Sequence, residues 1–196
     1  MAQQIKNIFL SASIPDPERD RKYIETADVI AIRDSIIALA SVVLPHYRLI
    51  WGGHPSITRL IAQVLRHSNK DVNQHVTLYQ TRYFERFFPL ENEEVAHIIY
   101  TPDLGDKDGS LYEMRKQMIC QNDYVAGIFI GGMEGVEDEF KMFSKRHPRA
   151  LLFPIASTGA AAKIIYDKTP DDYDSNLATE LTYTSLFRKI LEIMDI

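Results

Sequence analysis

Short apolar runs alternate with longer amphipathic segments along the chain. The apolar runs are four to six residues long, as in buried strands, and lie at residues 8–11, 48–51, 76–79, 97–100, 125–130 and 151–155. Segments with apolar residues at helical spacing lie between them, at residues 27–44, 56–66, 111–121, 136–145 and 160–166. Because most of the strands are apolar on both faces, the pattern predicts a doubly wound α/β fold, with a mostly parallel sheet covered by helices on both faces.

The end of the chain has a different pattern. Residues 167–176 are acidic and turn-forming, so we divide the chain into a domain at 1–167, a linker at 168–178 and an extra C-terminal helix at 179–196. Packing of this helix on the chain's own sheet is slightly favoured over crossing to a second subunit. Five apolar side chains form the face that would pack: Leu181, Leu186, Ile190, Leu191 and Met194.

Composition limits the classes of protein that fit. The chain has 196 residues, of which 45% are apolar and 25% charged, as in ordinary globular domains. The single cysteine, Cys120, excludes an internal disulfide, and no His or Cys pair has zinc-ligand spacing, so we expect no metal and no cofactor. No signal or membrane segment is recognised, which predicts a cytoplasmic protein. A net charge of −5 argues against nucleic-acid binding but allows a local pocket for a small anion.

Small and polar residues collect where four of the predicted strands end. Ligands of open parallel sheets bind at this edge, where glycine admits a ligand to the backbone and free helix N–H groups attract phosphate. Each loop alone is better explained as a tight turn or a helix cap, and the four together favour a nucleotide-type pocket. The candidate ligand-binding residues in these loops are Ser11, Ser13, Gly52, Gly53, His54, Gly131, Gly132, Met133, Glu134, Gly135, Ser157, Thr158 and Gly159.

One cation and one acidic group add a more specific candidate. Arg115 lies on the helix before the fifth strand, and the next helix begins with three acidic residues at 137–139. Facing each other across the glycine loop, such groups would orient a ligand phosphate and stabilise positive charge on a ribose ring. From the residues alone, the favoured interpretation is that Arg115 is solvated and that the acidic run only complements the helix dipole. Neither the dinucleotide fingerprint nor the P-loop pattern is met.

Several motifs resemble those of the SLOG superfamily, the Rossmann-like fold shared by Lonely Guy hydrolases and Smf-type DNA-processing proteins. The resemblance rests on RKQM at 115–118, a strand, and then IGGMEGVEDE at 130–139, with WGG at 51–53. A late segment, PIASTGAA at 154–161, resembles a loop of SLOG domains that accompany TIR and sirtuin-type defence proteins. The resemblance covers about residues 6–167 and is closest to that defence-associated branch.

The resemblance implies two alternative functions. A defence-associated domain would bind a nucleotide or a cyclic ADP-ribose type signal, with a homo-oligomer (dimer or tetramer) and an effector protein as partners. A Lonely Guy type phosphoribohydrolase would release the base from a nucleoside 5′-monophosphate, with Arg115 and Glu139 as its catalytic residues by position. Asp138 is the rival of Glu139, because one extra residue lies between Gly132 and Gly135. An assembly protein without a working pocket ranks last.

Two further features have open interpretations. His54 would either stack on a base or bond to the backbone, with equal weight. A basic and aromatic cluster follows the third strand, where packing is favoured over gripping a base or a partner. This cluster comprises Arg82, Tyr83, Arg86, Phe87 and Phe88.

Overall fold

A six-stranded parallel sheet forms the centre of the molecule. The structure is a computed structural model that describes residues 5–69 and 71–194. The strands are β1 (Asn7–Ser13), β2 (Arg48–Gly52), β3 (Val76–Thr81), β4 (Ile98–Thr101), β5 (Ala126–Gly131) and β6 (Leu151–Ile155). They lie in the order β4-β3-β2-β1-β5-β6, so the predicted doubly wound, parallel α/β fold is confirmed.

The helices follow the strands as the apolar spacing predicts. They are α1 (Arg21–Ile24), α2 (Val29–Val43), α3 (Pro55–Arg66), α4 (Lys107–Cys120), α5 (Glu134–Arg146), α6 (Ala160–Lys168), α7 (Asn176–Thr179) and α8 (Tyr183–Met194). Short 3-10 turns fill the connections, with two of them between β3 and β4, at Arg82–Phe87 and Leu90–Glu94.

Capping explains where two helices begin. Helix α4 starts four residues earlier than the prediction, because the Asp106 carboxylate accepts from the Gly109 amide at 2.7 Å and turns a predicted loop into the first helical turn. Helix α2 starts two residues later than predicted, because Asp28 caps it by accepting from the Ala31 amide. Both caps are polar side chains, so a prediction from the spacing of apolar residues does not detect them.

Alternate residues of each strand bury against helices on opposite faces of the sheet. Ile8 and Leu10 of β1 belong to one apolar cluster with α2, α3 and α8, whereas Phe9 between them packs with α4, α5 and α6. Both faces are therefore covered, which is why the strands read as continuous apolar runs.

The C-terminal segment packs on the same core as the rest of the chain. Leu186, Phe187 and Ile190 of α8 are buried in the cluster that contains α2. The helix begins at Tyr183 because Glu180 accepts from the Thr182 amide at 2.7 Å and the Thr182 carbonyl accepts the first helical N–H groups. Residues 195–196 of the predicted helix lie outside the described residues.

The chain path places a crevice beside β1. From β1 the chain builds β2, β3 and β4 to one side, and then crosses to build β5 and β6 on the other. Ligand sites of doubly wound folds lie at this reversal, beyond the carboxyl ends of the strands. Here Ser13 at the end of β1 pairs with Gly131 at the end of β5.

Candidate functional site

A cavity of about 550 Å³ lies at the predicted edge of the sheet. Its floor is the carboxyl ends of β1, β2 and β3, and its walls come from the starts of α3 and α5, one face of α4 and the segment after β3. This volume is in the range of pockets that hold small organic ligands.

An ion pair stands at the base of the cavity. The Arg115 Nε group donates to Glu139 Oε1 at 3.0 Å, and the Ser11 hydroxyl donates to Glu139 Oε2 at 2.6 Å. The side chains of Arg115 and Glu139 are only 19% and 12% exposed. Asp138 instead pairs with Lys141 at the surface. The extra residue in the glycine loop therefore leaves Glu139, and not its rival, beside Arg115.

Two helices begin at the cavity without a side-chain cap from any described residue. The N-cap positions are His54 for α3 and Met133 for α5, and neither side chain accepts from a backbone N–H group of its own helix. The first N–H groups of a helix have no intrahelical acceptor and carry partial positive charge. The amides at the start of α5, of which Glu134 and Gly135 are the first, thus form the part of the wall suited to an anion.

His54 stands at the rim of the cavity. Its Nδ1 atom lies 2.8 Å from the Ser56 hydroxyl, so the ring is oriented by a side chain of its own helix. His54 lines the cavity but is an exposed residue, and partial loss of hydration lowers the pKa of the imidazole below its ordinary value. His54 is therefore neutral at pH 7 and adds no charge for a phosphate.

Glycines of the predicted loops make room for side chains of the protein itself. A Cβ on Gly135 would lie 2.7 Å from Arg115 Nη2, and one on Gly53 would lie 2.2 Å from Gln80 Nε2. At Gly52 the nearest atom would be Met114 Cε, at 3.1 Å. The Gly135 contact lets the Arg115 guanidinium lie against the first turn of α5.

Charged groups of opposite sign surround the mouth. Arg19, in the loop between β1 and α1, forms an exposed ion pair with Glu134 at the start of α5. Lys107 and Asp108 of α4 line the opposite side. Since the Arg19–Glu134 pair is exposed, we expect it to contribute little to stability.

The loop after β6 has a structural role, because its polar groups bond to other parts of the protein. The Thr158 hydroxyl donates to the Ile155 carbonyl at 2.6 Å and accepts from the Gly131 amide at 2.9 Å. Ser157 lies 3.2 Å from the Tyr183 hydroxyl, and Gly159 packs so closely that a Cβ there would meet the Thr26 carbonyl at 1.7 Å. These contacts tie the loop to the segment between α1 and α2, to α8 and to β5.

The structure brings together three of the four predicted loops and leaves the fourth apart. The cavity is lined by Ser13, Gly52, Gly53, His54, Arg115, Met133, Glu134, Gly135 and Glu139. Ser11 reaches it through Glu139, while Gly131 and Gly132 form the turn beneath it with φ of 54° and 84°. Ser157, Thr158 and Gly159 are not among the lining residues.

The segment after β3 is the part of the wall that the sequence did not assign. Gln80, Phe84 and Phe88 line the cavity. The favoured packing interpretation of the aromatic cluster holds for Phe88, which stacks on Tyr100, but not for Phe87, which is 74% exposed. The high number of aromatic residues in this segment was a signal in the sequence. Because the segment is a 3-10 helix, the spacing of these residues does not show which of them share a face.

Within the described part of the chain, no helix has the length and apolar character that a membrane crossing requires.

The comparisons with known proteins agree with this architecture. The crystal structure of TM1055, a structural-genomics target, superposes with a TM-score of 0.58 at 14% identity, covering 83% of this chain and 81% of that one. The class is thus a Rossmann-like α/β domain with a cavity at the carboxyl edge of its sheet. A family model, the SLOG cluster3 family, matches residues 22–191, so the chain belongs to that family. No curated protein matches.

Membership in the SLOG superfamily is therefore confirmed. The superfamily includes nucleotide-processing members of the Lonely Guy type. The link to its defence-associated branch stays a prediction.

Proposed function

We propose that this protein binds a phosphorylated, nucleotide-derived ligand in the cavity, with the phosphate at the start of α5. One observation carries the proposal: the uncapped first turn of α5 opens onto the cavity. Backbone amides at a helix start are a ready site for phosphate. Helix α3 also begins at the cavity, but its first residue, Pro55, has no N–H group to offer.

The charges of the side chains support the role of the amides. Three cationic and four anionic side chains line the cavity: Arg19, Lys107, Arg115, Asp108, Glu134, Asp138 and Glu139. Because these charges nearly cancel and His54 is neutral, the attraction for a phosphate comes from the backbone dipoles.

The test replaces a single backbone amide. Glu134 is the first residue of α5, where proline is tolerated but removes the N–H group. The matched control is Glu134→Ala, which also loses the carboxylate but keeps the amide. Isothermal titration with AMP and with ADP-ribose should give saturable binding in the control, and an affinity lower by about tenfold or more in Glu134→Pro, the loss of a charge-assisted hydrogen bond. Absence of binding by both nucleotides, or equal affinities in the two variants, would contradict the proposal.

We extend the proposal to a sensor. The resemblance to defence-associated SLOG domains supports a cytoplasmic protein that forms a homo-oligomer and reports a nucleotide or cyclic ADP-ribose type signal to an effector. Light scattering during size-exclusion chromatography, with and without ADP-ribose, measures whether the assembly exists and responds. A monomer in both conditions would contradict this extension but not the binding site.

The Arg115–Glu139 pair favours hydrolysis of an N-glycosidic bond as a second candidate function. In this reaction the bond between C1′ and the base nitrogen breaks, its electron pair leaves with the base, and the base takes up a proton. Glu139 would stabilise the positive charge that develops on the ribose and accept a proton from the attacking water, while Arg115 holds the carboxylate in place. The products are ribose 5-phosphate and the free base.

Chromatography of free adenine after incubation with AMP tests this second function. Glu139→Gln should lower the rate by about 100-fold or more, as for loss of a general base. Asp138→Asn is the matched control on the same helix, and it should keep the rate. Adenine release that survives Glu139→Gln would overturn the mechanism, and no release by the unmodified chain would overturn the function.

A further inference from the structure

A buried amide side chain faces the cavity at the end of β3. Gln80 is a polar residue on a strand that is buried along its whole length; it is 3% exposed and lines the cavity. A buried polar side chain is costly unless it is hydrogen bonded, so its partners define what it can do. Two of them are the side chain of Asn92 and the carbonyl of Gly53.

These partners fix the direction of the Gln80 amide. Asn92 Nδ2 donates to Gln80 Oε1 at 2.8 Å, and Gln80 Nε2 donates to the Gly53 carbonyl at 3.4 Å. A reversed amide would set Oε1 against the Gly53 carbonyl, so the observed orientation is the favourable one. The amide nitrogen has two hydrogens, and the long bond to Gly53 leaves donor capacity at the cavity.

Aromatic rings stand next to this donor. Phe84 and Phe88, a few residues further along the chain, line the same cavity and are half-buried. The Phe84 ring meets Tyr83 edge-on at 5.0 Å, and the Phe88 ring stacks on Tyr100 at 5.7 Å. Because each ring is held by a second ring, the wall is formed before a ligand arrives.

We infer that this end of the cavity is a subsite for a planar heteroaromatic base. Gln80 donates to an acceptor atom on the edge of the base, Phe84 and Phe88 contact its face, and Asn92 is a positioning residue. The inference rests on the proposed function, since it takes the phosphate to lie at α5. Strand β3 is three strand positions from β5, or about 14 Å along the sheet edge, which suits the span of a nucleotide. The ligand class is thus a nucleoside phosphate rather than a sugar phosphate.

The first experiment compares ligands with and without a base on the unmodified protein. AMP should bind about tenfold or more tightly than ribose 5-phosphate in isothermal titration, since stacking and one hydrogen bond are added. Equal affinities would overturn the base subsite and leave the proposed function standing. If neither ligand binds, the proposed function itself fails, so the two failures are distinguishable.

The second experiment changes the subsite. Gln80→Met keeps the length of the side chain but removes the donor, and Phe84→Leu removes a ring from the half-buried wall. Each should reduce the ratio of AMP affinity to ribose 5-phosphate affinity by about fivefold to tenfold. Gln63→Met, at an exposed position of α3, is the matched control and should leave the ratio unchanged.

Asn92→Ala tests the positioning role. It should lower the same ratio, whereas a merely structural residue would lower the unfolding temperature and leave the ratio intact. An unchanged ratio in both Gln80→Met and Phe84→Leu would overturn the inference even if one of them folded poorly, since the other reports independently.

Discussion

The starts of α5 and α6 share one backbone feature but have different surroundings. Each follows a strand of the sheet through two successive residues with positive φ: Gly131 and Gly132 at 54° and 84°, Gly159 and Ala160 at 72° and 55°. Both read from the sequence as phosphate-binding loops. Only the start of α5 lines the cavity.

The difference lies in what occupies the first amides. At α6 the Ala160 amide donates to the Thr26 hydroxyl at 2.9 Å, and the Ala161 amide donates to the Gly132 carbonyl at 3.2 Å. At α5 no described side chain caps the helix. A glycine-rich strand end therefore becomes a candidate anion site only where the chain supplies no acceptor of its own, since helix-end amides need a partner.

The largest loss of stability should come from a change at the start of α6, whose first amides are already bonded within the chain. Gly159→Ala should destabilise the fold by about 3 kcal/mol, because the new Cβ would lie 1.7 Å from the Thr26 carbonyl at a φ of 72°. Urea denaturation measures the loss. Gly105→Ala is the control, since Gly105 has a φ of 87° with nothing within 4 Å of its Cβ position, and it separates backbone strain from the clash. Equal losses in the two variants would contradict close packing at α6.

The side chain of Glu137 anchors α5 to α1 and α6, and this leaves the first backbone amides of α5 unused. Its carboxylate accepts from the Tyr23 hydroxyl at 2.7 Å and from Lys168 Nζ at 2.8 Å. Desolvation acts to raise the pKa of Glu137, but the bonds from Lys168 and Tyr23 outweigh it and hold the pKa below its ordinary value. Glu137→Gln should therefore cost about 2 kcal/mol at pH 7.

The pH dependence of that cost has a definite sign. A carboxyl group with a lowered pKa stabilises the fold fully above its ordinary pKa, and the contribution is lost as the pH falls through the lowered value. Denaturation of the Glu137→Gln variant at several pH values should show the difference from the unmodified chain shrinking below about pH 4.5. Asp138→Asn, at the exposed neighbouring position, should show a smaller cost at pH 7.

Gly135→Ala tests the start of α5, where no described side chain caps the first amides. The new Cβ would lie 2.7 Å from Arg115 Nη2, the movable end of a side chain, so the fold should tolerate it while Arg115 is displaced. We expect AMP affinity to fall by about tenfold, or 1.4 kcal/mol, in isothermal titration. A large loss of stability with unchanged affinity would mean that this turn is structural like that of α6.

The smallest effect should come from the cap of α6. Thr26→Val removes the acceptor of the Ala160 amide and should cost about 1 kcal/mol, as for loss of a helix cap, without a change in AMP affinity. Thr26→Ser keeps the hydroxyl and is the control. Weaker AMP binding in Thr26→Val would show that the start of α6 belongs to the site.

The spacing of apolar residues predicted the fold, because it is a property of residues that are neighbours in the chain. The strand ends followed from the same local information, whereas the pairing of Arg115 with Glu139 was implied only by the family resemblance. The hydrogen bond that closes the start of α6 could not be predicted in this way, since Thr26 lies 134 residues from Ala160 in the chain. The Gln80 and Asn92 pair was missed for a similar reason, because a single glutamine inside a buried strand carries no motif.

The most direct measurement is a titration of isotope-labelled protein with AMP, followed through the backbone amide signals in nuclear magnetic resonance spectra. We predict that the signals of Glu134 and Gly135 shift with saturation, while those of Ala160 and Ala161 stay in place. Shifts at Ala160 and Ala161 with none at Glu134 and Gly135, or no shifts at all, would contradict it.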